Sequence, residues 1–153
     1  MENLFLDTNV IIDYLDERPG YTQSARKLML LGILGEFNLW IGASQVTDVF
    51  YILSNGGRAS EAERVKAKIR KIRKFIHICS LAEPDIDAVL ESPWRDFEDA
   101  CLYECARKVK AKAIITRNKK DFEKSFIRVC DCDEWFAYLE DTKGLIYEEI
   151  ELE

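Results

Sequence analysis

The sequence predicts a single three-layer α/β/α domain with a central, mainly parallel sheet. Short apolar runs that suit buried strands alternate with longer segments in which apolar residues recur at helical spacing. Strands that alternate with helices pair in parallel through right-handed crossovers. A length of 153 residues fits one such domain and allows a substantial core.

The N-terminal elements follow from the segment LFLDTNVIIDYL. Its first apolar residues form a continuous run bounded by polar residues, which predicts a buried strand over 3–7 that ends at Asp7. The apolar residues that come next recur at helical spacing and predict a helix over 9–17. The tripeptide Arg-Pro-Gly at 18–20 ends this helix, because proline removes a hydrogen-bond donor and glycine permits the turn.

The next three predicted elements are a helix over 22–35, a strand over 38–42 and a helix over 44–55. Ser44 is the predicted N-cap of the last of these, because an apolar run at helical spacing begins just after it. The tripeptide Asn-Gly-Gly at 55–57 ends that helix by allowing left-handed backbone conformations.

The alternation of helices and strands continues through the second half of the chain. The remaining predicted elements are helix 60–74, strand 75–79, helices 83–90 and 96–109, strands 112–116 and 126–130, and helix 132–140. The domain is therefore predicted to span residues 1–140, and residues 141–153 form an acidic C-terminal tail. Apolar residues in the tail suit docking on the domain or pairing with a sheet edge; they are Leu145, Ile146, Tyr147 and Ile150.

Composition excludes several classes of protein. A content of 48% hydrophobic and 33% charged residues is typical of a soluble globular chain. No apolar stretch approaches the roughly 20 residues of a membrane span, and the start lacks a secretory signal, so a cytoplasmic location is expected. The five cysteines are odd in number and include no CxxC pair, which favours reduced structural thiols over a metal or redox site.

Charge is segregated along the chain, although the net charge is only −6. Residues 58–74 carry eight basic and two acidic side chains, and residues 107–128 carry nine basic and two acidic ones. Residues 131–153 carry nine acidic side chains and one lysine. Such a chain could meet a polyanion on one face only, or the charged blocks are simply solvated helix faces.

Acidic side chains recur where predicted strands give way to helices. Asp7 ends the first strand, and Asp48 lies one turn into the helix after the second. The later positions are Asp96 and Asp99 in DFEDACLYECA, and Asn118 and Asp121 in TRNKKDF just after Thr116. Because the carboxyl ends of parallel strands meet at one edge, Asp7, Asp48 and Asp99 are expected to converge there.

Carboxylates gathered at one sheet edge would repel one another, and a hard divalent cation such as Mg²⁺ or Mn²⁺ relieves that repulsion. With a phosphodiester present, such ions activate water and stabilise the leaving oxygen. Helix capping alone explains Asp96, and Asp48 could face solvent. Asp99 shares a helix face with Asp96 and is expected to point toward the sheet, whereas Glu98 is expected to point elsewhere.

Other active-site chemistries have weaker support. The single histidine, His77, lacks a convincing partner for a nucleophilic triad, and no phosphate-binding glycine motif exists. The segment LFLDTN superficially resembles the strand-end aspartate of haloacid-dehalogenase-type phosphatases. That family requires a second aspartate two residues later, where this chain has Asn9.

Four segments together resemble the PIN-domain family (PilT N-terminus-like), and within it the small bacterial VapC-type toxin ribonucleases. The segments are LFLDTNVIIDYL, ASQVTDVFYIL, DFEDACLYECA and AIITRNKKDF, and they span Leu4 to Phe122 in the family's order. The resemblance implies a parallel-sheet α/β/α fold, a Mg²⁺ or Mn²⁺ site and ribonuclease activity on single-stranded or structured RNA. It also implies that a cognate antitoxin is a candidate partner.

The resemblance assigns roles residue by residue. Asp7, Asp48 and Asp99 match the first three family acids and would bind metal, with Asp48 replacing the usual glutamate. The fourth acid is either Asn118, at the usual place, or Asp121, three residues later. Supporting roles would fall to Thr8, Asn9, Asp96 and Thr116, and RNA contacts to Arg117 and Lys119.

Two departures from the family pattern leave an alternative open. Aspartate at Asp48 shortens the second ligand by one methylene, and asparagine at Asn118 removes a charge. The domain could therefore be a catalytically weakened module that binds RNA or protein. Association into a homodimer, if it occurs, is expected through apolar helical surface and not through disulfides.

Overall fold

The computed structural model describes residues 1–145, in which five strands form one parallel sheet. The strands are β1 (Asn3–Leu6), β2 (Asn38–Gly42), β3 (Ile76–Cys79), β4 (Ala113–Ile115) and β5 (Arg128–Cys130). Their order across the sheet is β3-β2-β1-β4-β5, and every neighbouring pair is parallel. The predicted single α/β/α fold with a parallel sheet is confirmed.

Seven α-helices connect and cover the strands within the described residues. They are α1 (Thr8–Leu15), α2 (Thr22–Ile33), α3 (Ala43–Leu53), α4 (Ala62–Ile72), α5 (Glu83–Leu90), α6 (Phe97–Lys108) and α7 (Cys132–Lys143). Two short 3-10 turns, Ala59–Glu61 and Lys119–Phe122, were not predicted from the sequence. Within residues 1–145, no helix is long and apolar enough to cross a membrane.

The central strand contributes side chains to two cores, because successive residues of a strand point to opposite faces of the sheet. Leu4 and Leu6 lie in the core that includes buried residues of α1, α2, α3, α4 and α7. Phe5 lies in a second core with Leu102 and Cys105 of α6. Helices therefore cover both faces of the sheet, which explains why the strands read as continuous apolar runs.

The strand order creates a switch point beside β1. The chain builds β2 and β3 on one side of β1, and then crosses to build β4 and β5 on the other. Leu6 at the end of β1 pairs with Ile115 at the end of β4, and the Asp7 amide donates to the Ile115 carbonyl at 2.9 Å. Ligands of open α/β sheets bind in the crevice at such a point.

Several boundaries differ from the predicted ones for identifiable reasons. The Ser44 cap is wrong: α3 begins at Ala43, and the Gln45 side chain accepts the Gly42 amide at 2.6 Å. Helix α7 continues three residues past 140, to Lys143, and Gly144 ends it with φ 64°. The Asn-Gly-Gly turn at 55–57 has the predicted left-handed backbone.

The remaining predictions concern the cysteines and the tail. All five cysteines are free and buried. Of the apolar tail residues, Leu145 is described and 41% exposed. Ile146, Tyr147 and Ile150 lie outside the described residues.

Candidate active site

Asp7 lies at the switch point, between the end of β1 and the start of α1. Its side chain caps α1, and Oδ1 accepts the Thr8 amide at 2.7 Å. Oδ2 accepts the Thr116 hydroxyl, also at 2.7 Å. Burial raises the pKa of the Asp7 carboxyl above its ordinary value, while the hydrogen bonds from Thr116 and Thr8 oppose that rise. Only 8% of Asp7 is exposed, so little of this residue reaches solvent.

Three predicted supporting residues form a network around the Asp7 carboxylate. Thr116 is fully buried at the end of β4 and also accepts the Asn118 amide, at 2.9 Å. The Asn9 side-chain amide lies 3.4 Å from both Asp7 Oδ2 and the Thr116 oxygen. The loop after β4 is thereby tied to the first turn of α1.

Gln45 is a supporting residue that the sequence analysis missed. It is fully buried in the first turn of α3, and its Nε2 donates to the Leu6 carbonyl at 2.9 Å and to Thr8 Oγ1 at 3.2 Å. Since its Oε1 accepts the Gly42 amide, one side chain joins the ends of β1 and β2. A polar residue three positions before Asp48, on the same helical face, was the available signal.

Asp96 and Asp99 lie at the N-terminus of α6. Asp96 is the N-cap, and its side chain accepts the Asp99 amide at 2.9 Å, as a capping role requires. The pKa of Asp99 is raised to about 7, first by burial and then by the charges of Asp96, Asp121, Asp7 and Glu98. Asp99 thus lies among the other acids, and a share of it is protonated at neutral pH.

Glu98 lies with the acids Asp7, Asp48 and Asp96, so the expectation that it points elsewhere is wrong. Burial is the largest cause of a raised pKa of its carboxyl. A side-chain hydrogen bond with Asp48 and the negative charges of Asp48, Asp96 and Asp7 raise this pKa further. The side chain is long enough to reach around the first turn of the helix. Asp48, partly buried on α3, therefore meets the acids of α6 through Glu98.

Asp121 and Asn118 differ in what they present to the site. Asn118 contributes its backbone amide to Thr116. Asp121 lies in the 3-10 turn Lys119–Phe122, and its negative charge contributes to raising the pKa of both Asp7 and Asp99. Of the two alternatives, Asp121 is the one that adds charge to the acidic group.

The two predicted RNA contacts, Arg117 and Lys119, are both engaged within the protein. Arg117 forms a two-point ion pair with the buried Asp13, with distances of 2.7 and 3.1 Å. Lys119 Nζ lies 2.7 Å from Glu134 Oε1. Their role in binding RNA stays a prediction.

The acidic side chains near Asp7 have the oxygen donors that a hard divalent cation prefers. The six acids of this group are Asp7, Asp48, Asp96, Glu98, Asp99 and Asp121, and they supply only carboxylate oxygens. Within residues 1–145, no three or more His, Cys, Asp or Glu side chains enclose a point where an ion would sit. An Mg²⁺ ion keeps several waters and needs only one or two carboxylates directly, so this looser arrangement still fits it.

A comparison with family models decides the identity of the fold family. The model described as "PIN domain" matches residues 3–120, which is most of the chain and includes all six acids except Asp121. The chain belongs to the PIN-domain family. The resemblance of the four sequence segments is confirmed.

Individual PIN-domain relatives resemble the chain over most of its length. Ribonuclease VapC1 of Aquifex aeolicus (strain VF5) is 26% identical over 140 residues, which cover 88% of this chain and 93% of that protein. Two solved structures share its fold. One is VapBC2 of Rickettsia felis bound to a promoter DNA fragment, at 16% identity and a TM-score of 0.62, covering 84% of this chain and 97% of that chain. The other is the sarcin-ricin loop cleaving toxin VapC20 of Mycobacterium tuberculosis, at 14% identity and a TM-score of 0.61. The match covers 82% of this chain and 98% of that chain.

Proposed function

We propose that this protein is an endoribonuclease that depends on Mg²⁺ or Mn²⁺, and that it is the toxin of a toxin–antitoxin pair. The observation that carries the proposal is the group of acids at the switch point, where burial and then the neighbouring negative charges raise the pKa of Asp99 to about 7. A cation is the usual remedy for carboxylates held so near one another. The similarity to ribonuclease VapC1 supports the choice of RNA as substrate.

Asp7, Asp48 and Asp99 would hold the ion directly or through water, with Glu98 and Asp121 as further acids nearby. When bound, the metal supplies an activated water and neutralises charge on the phosphoryl oxygens. Thr8, Thr116 and Asn9 orient the Asp7 carboxylate, and the hydrogen bonds from Thr8 and Thr116 favour its ionised form. Gln45 holds the strand ends that carry this arrangement.

Cationic side chains close to the acids would contact the RNA backbone. Arg117 and Lys119 were predicted for this role, and each would have to leave its carboxylate partner to make such a contact. Arg95 and Lys120 are exposed and directly precede Asp96 and Asp121 in the chain. They offer further positive charge beside the acids.

Cleavage of single-stranded RNA tests the proposal directly. The parent protein should cleave RNA with Mn²⁺ present and stop when the metal is chelated, and Asp7→Asn should be inactive under both conditions. RNA that binds and stays intact at saturating Mn²⁺ would instead favour the weakened binding module.

The antitoxin would bind the groove between α3 and α4. Val46, Phe50 and Ile69 line it with apolar surface, and Lys66 and Arg70 add positive charge. A helix with an apolar face and acidic flanks is complementary to such a groove. The similarity to VapBC2, solved together with promoter DNA, supports the existence of a partner.

Co-expression with the product of an adjacent small reading frame tests the groove. Phe50→Asp should abolish co-purification of that product, because it places an uncompensated charge in the apolar groove. Phe126→Asp is the matched control, since Phe126 is 98% exposed and lies outside the groove. Equal co-purification of both variants would contradict this location.

A further inference from the structure

We propose that Asp13, Arg117 and Tyr21 form a clamp that positions Asp7 against the loop after β4, with Arg117 as the positioning residue. The inference rests on the proposed function, because it concerns how the metal-binding carboxylate is held. None of the three residues belongs to the acidic group itself. Asp13 is in α1, Tyr21 follows that helix, and Arg117 is in the loop after β4.

The first part of the clamp is an ion pair between distant segments. Asp13 is on α1 and only 2% exposed, and Arg117 Nε and Nη2 donate to its two carboxylate oxygens at 2.7 and 3.1 Å. Arg18 is the other cation near Asp13, and its distance of 4.0 Å makes it a weak partner. A two-point pair of this kind fixes direction as well as distance.

The second part is the aromatic ring of Tyr21, which follows α1. The Arg117 guanidinium carbon lies 4.1 Å from the centre of this ring, within the range of a cation–π contact. The guanidinium is therefore held on one side by a buried carboxylate and on another by a ring. Lysine would keep the positive charge of Arg117. It would lose the two-point hydrogen bonding to Asp13 and the stacking of the guanidinium on the Tyr21 ring.

The clamp acts on Asp7 through neighbours in the chain. Thr116, directly before Arg117, donates to Asp7 Oδ2, and the Arg117 amide lies 3.4 Å from Asn9 Oδ1. Asn9 in turn approaches Asp7 Oδ2. Fixing Arg117 therefore fixes Thr116, in the loop after β4, and Asn9, in α1, and both side chains orient the Asp7 carboxylate.

A purely structural ion pair is the competing explanation. Buried pairs often add little net stability, because the loss of hydration offsets their attraction. Here Thr116, the residue directly before Arg117, donates to Asp7 Oδ2, so the position of Arg117 matters to the carboxylate at the switch point. Positioning predicts an effect on metal binding that loss of stability alone does not.

Calorimetry of Mn²⁺ binding and amide hydrogen exchange of the metal-free protein test the clamp together. Arg117→Gln and Asp13→Asn should weaken Mn²⁺ binding about tenfold, the scale found when residues that support metal ligands are changed. Arg117→Lys should fall between these variants and the parent. The Thr8 amide hydrogen, which is donated to Asp7 Oδ1, should exchange faster in all three variants. In Asp13→Asn, which keeps the predicted RNA contact Arg117, RNA cleavage lost at low Mn²⁺ should return at high Mn²⁺.

Arg64→Gln is the matched control, because Arg64 also pairs with an acid, Glu61, and donates to the Leu53 carbonyl away from the site. It should retain the parent's Mn²⁺ affinity and Thr8 exchange. Parent-like affinity and exchange in the clamp variants would overturn the inference. Faster Thr8 exchange in those variants, with no Mn²⁺ binding by the parent, would support the clamp and contradict the proposed metal-dependent function.

Discussion

The Thr116 hydroxyl donates a 2.7 Å hydrogen bond to Asp7 Oδ2, although the two residues are 109 positions apart in the chain. Adjacent parallel strands bring them together, because Asp7 follows β1 and Thr116 follows β4. The bond selects one orientation of a buried carboxylate. It also favours the ionised form that a cation would bind.

Removal of the Thr116 hydroxyl should affect metal binding as well as stability. Thr116→Val keeps the shape of the side chain, and the lost hydrogen bond to a charged group should cost about 1.5–3 kcal/mol in free energy of unfolding. The midpoint of urea unfolding measures the stability, and calorimetry with Mn²⁺ measures the binding. We expect both to fall.

Thr22→Val is the control for Thr116→Val. The Thr22 hydroxyl is buried and, among the described residues, has no hydrogen-bond partner, so its replacement should leave Mn²⁺ affinity unchanged. Undiminished Mn²⁺ affinity in Thr116→Val would show that the bond to Asp7 does not matter to the site.

Divalent metal should raise the thermal midpoint of the protein. A ligand that binds only the folded state stabilises it by mass action. Asp7→Asn should abolish the shift caused by Mn²⁺ and leave the metal-free protein at least as stable as the parent, because it removes a buried charge among like charges. Thermal scans with Mn²⁺ and with a chelator decide it, and an unchanged metal-induced shift in Asp7→Asn would contradict its role.

Asp99 and Asp96 should differ sharply in their effect on catalysis. Asp99→Asn keeps the shape and removes an anionic ligand, so RNA cleavage should fall by orders of magnitude. Asp96→Asn keeps a good N-cap and should cost about 1 kcal/mol or less of stability, with a smaller loss of rate. Cleavage rates of both variants at saturating Mn²⁺ give the comparison. Parent-like activity in Asp99→Asn would mean that another acid carries the chemistry.

The raised pKa of Asp99 should make metal-free stability depend on pH. The folded state holds a proton on Asp99 up to about pH 7, whereas the unfolded chain releases it near the ordinary value of 3.8. The contribution of Asp99 to stability is therefore greatest at low pH and declines as pH rises from about 4 to about 7. Asp99→Asn should remove this decline in thermal scans with a chelator present.

Metal binding should show the opposite trend with pH. Because the ion binds the carboxylate and not the acid, Mn²⁺ affinity should rise as pH passes through about 7 and then level off. Calorimetry in buffers of different ionisation enthalpy should show proton release near pH 6.5. Affinity independent of pH between 6 and 8 would contradict ligation by Asp99.

The features that depend on neighbouring residues were predictable from the sequence. Apolar runs located the strands, and the residue at the end of the first run located Asp7. The capping role of Asp96 followed from its place before a helical pattern. Ser44 failed as a cap because the helix starts earlier: Gly42 is the N-cap, and the Gln45 side chain accepts its amide.

The features that depend on distant partners were not predictable. Gln45 is a supporting residue only because α3 brings it beneath the end of β1, which sequence spacing does not reveal. Arg117 reads as a free cation in TRNKKDF, although Asp13, 104 positions earlier, holds it. Glu98 was misjudged because an ideal helical wheel ignores how far a glutamate reaches at a helix end.

The position of β4 beside β1 has a consequence for the timing of synthesis. Asp7 is synthesised 109 residues before Thr116, whose hydroxyl orients its carboxylate. Strands β1, β2 and β3 can form earlier, but the edge of β1 that faces the candidate site stays open until β4 arrives. A nascent or truncated chain that lacks β4 therefore carries Asp7 without the hydrogen bond from Thr116. The site is therefore assembled only in chains that extend through β4.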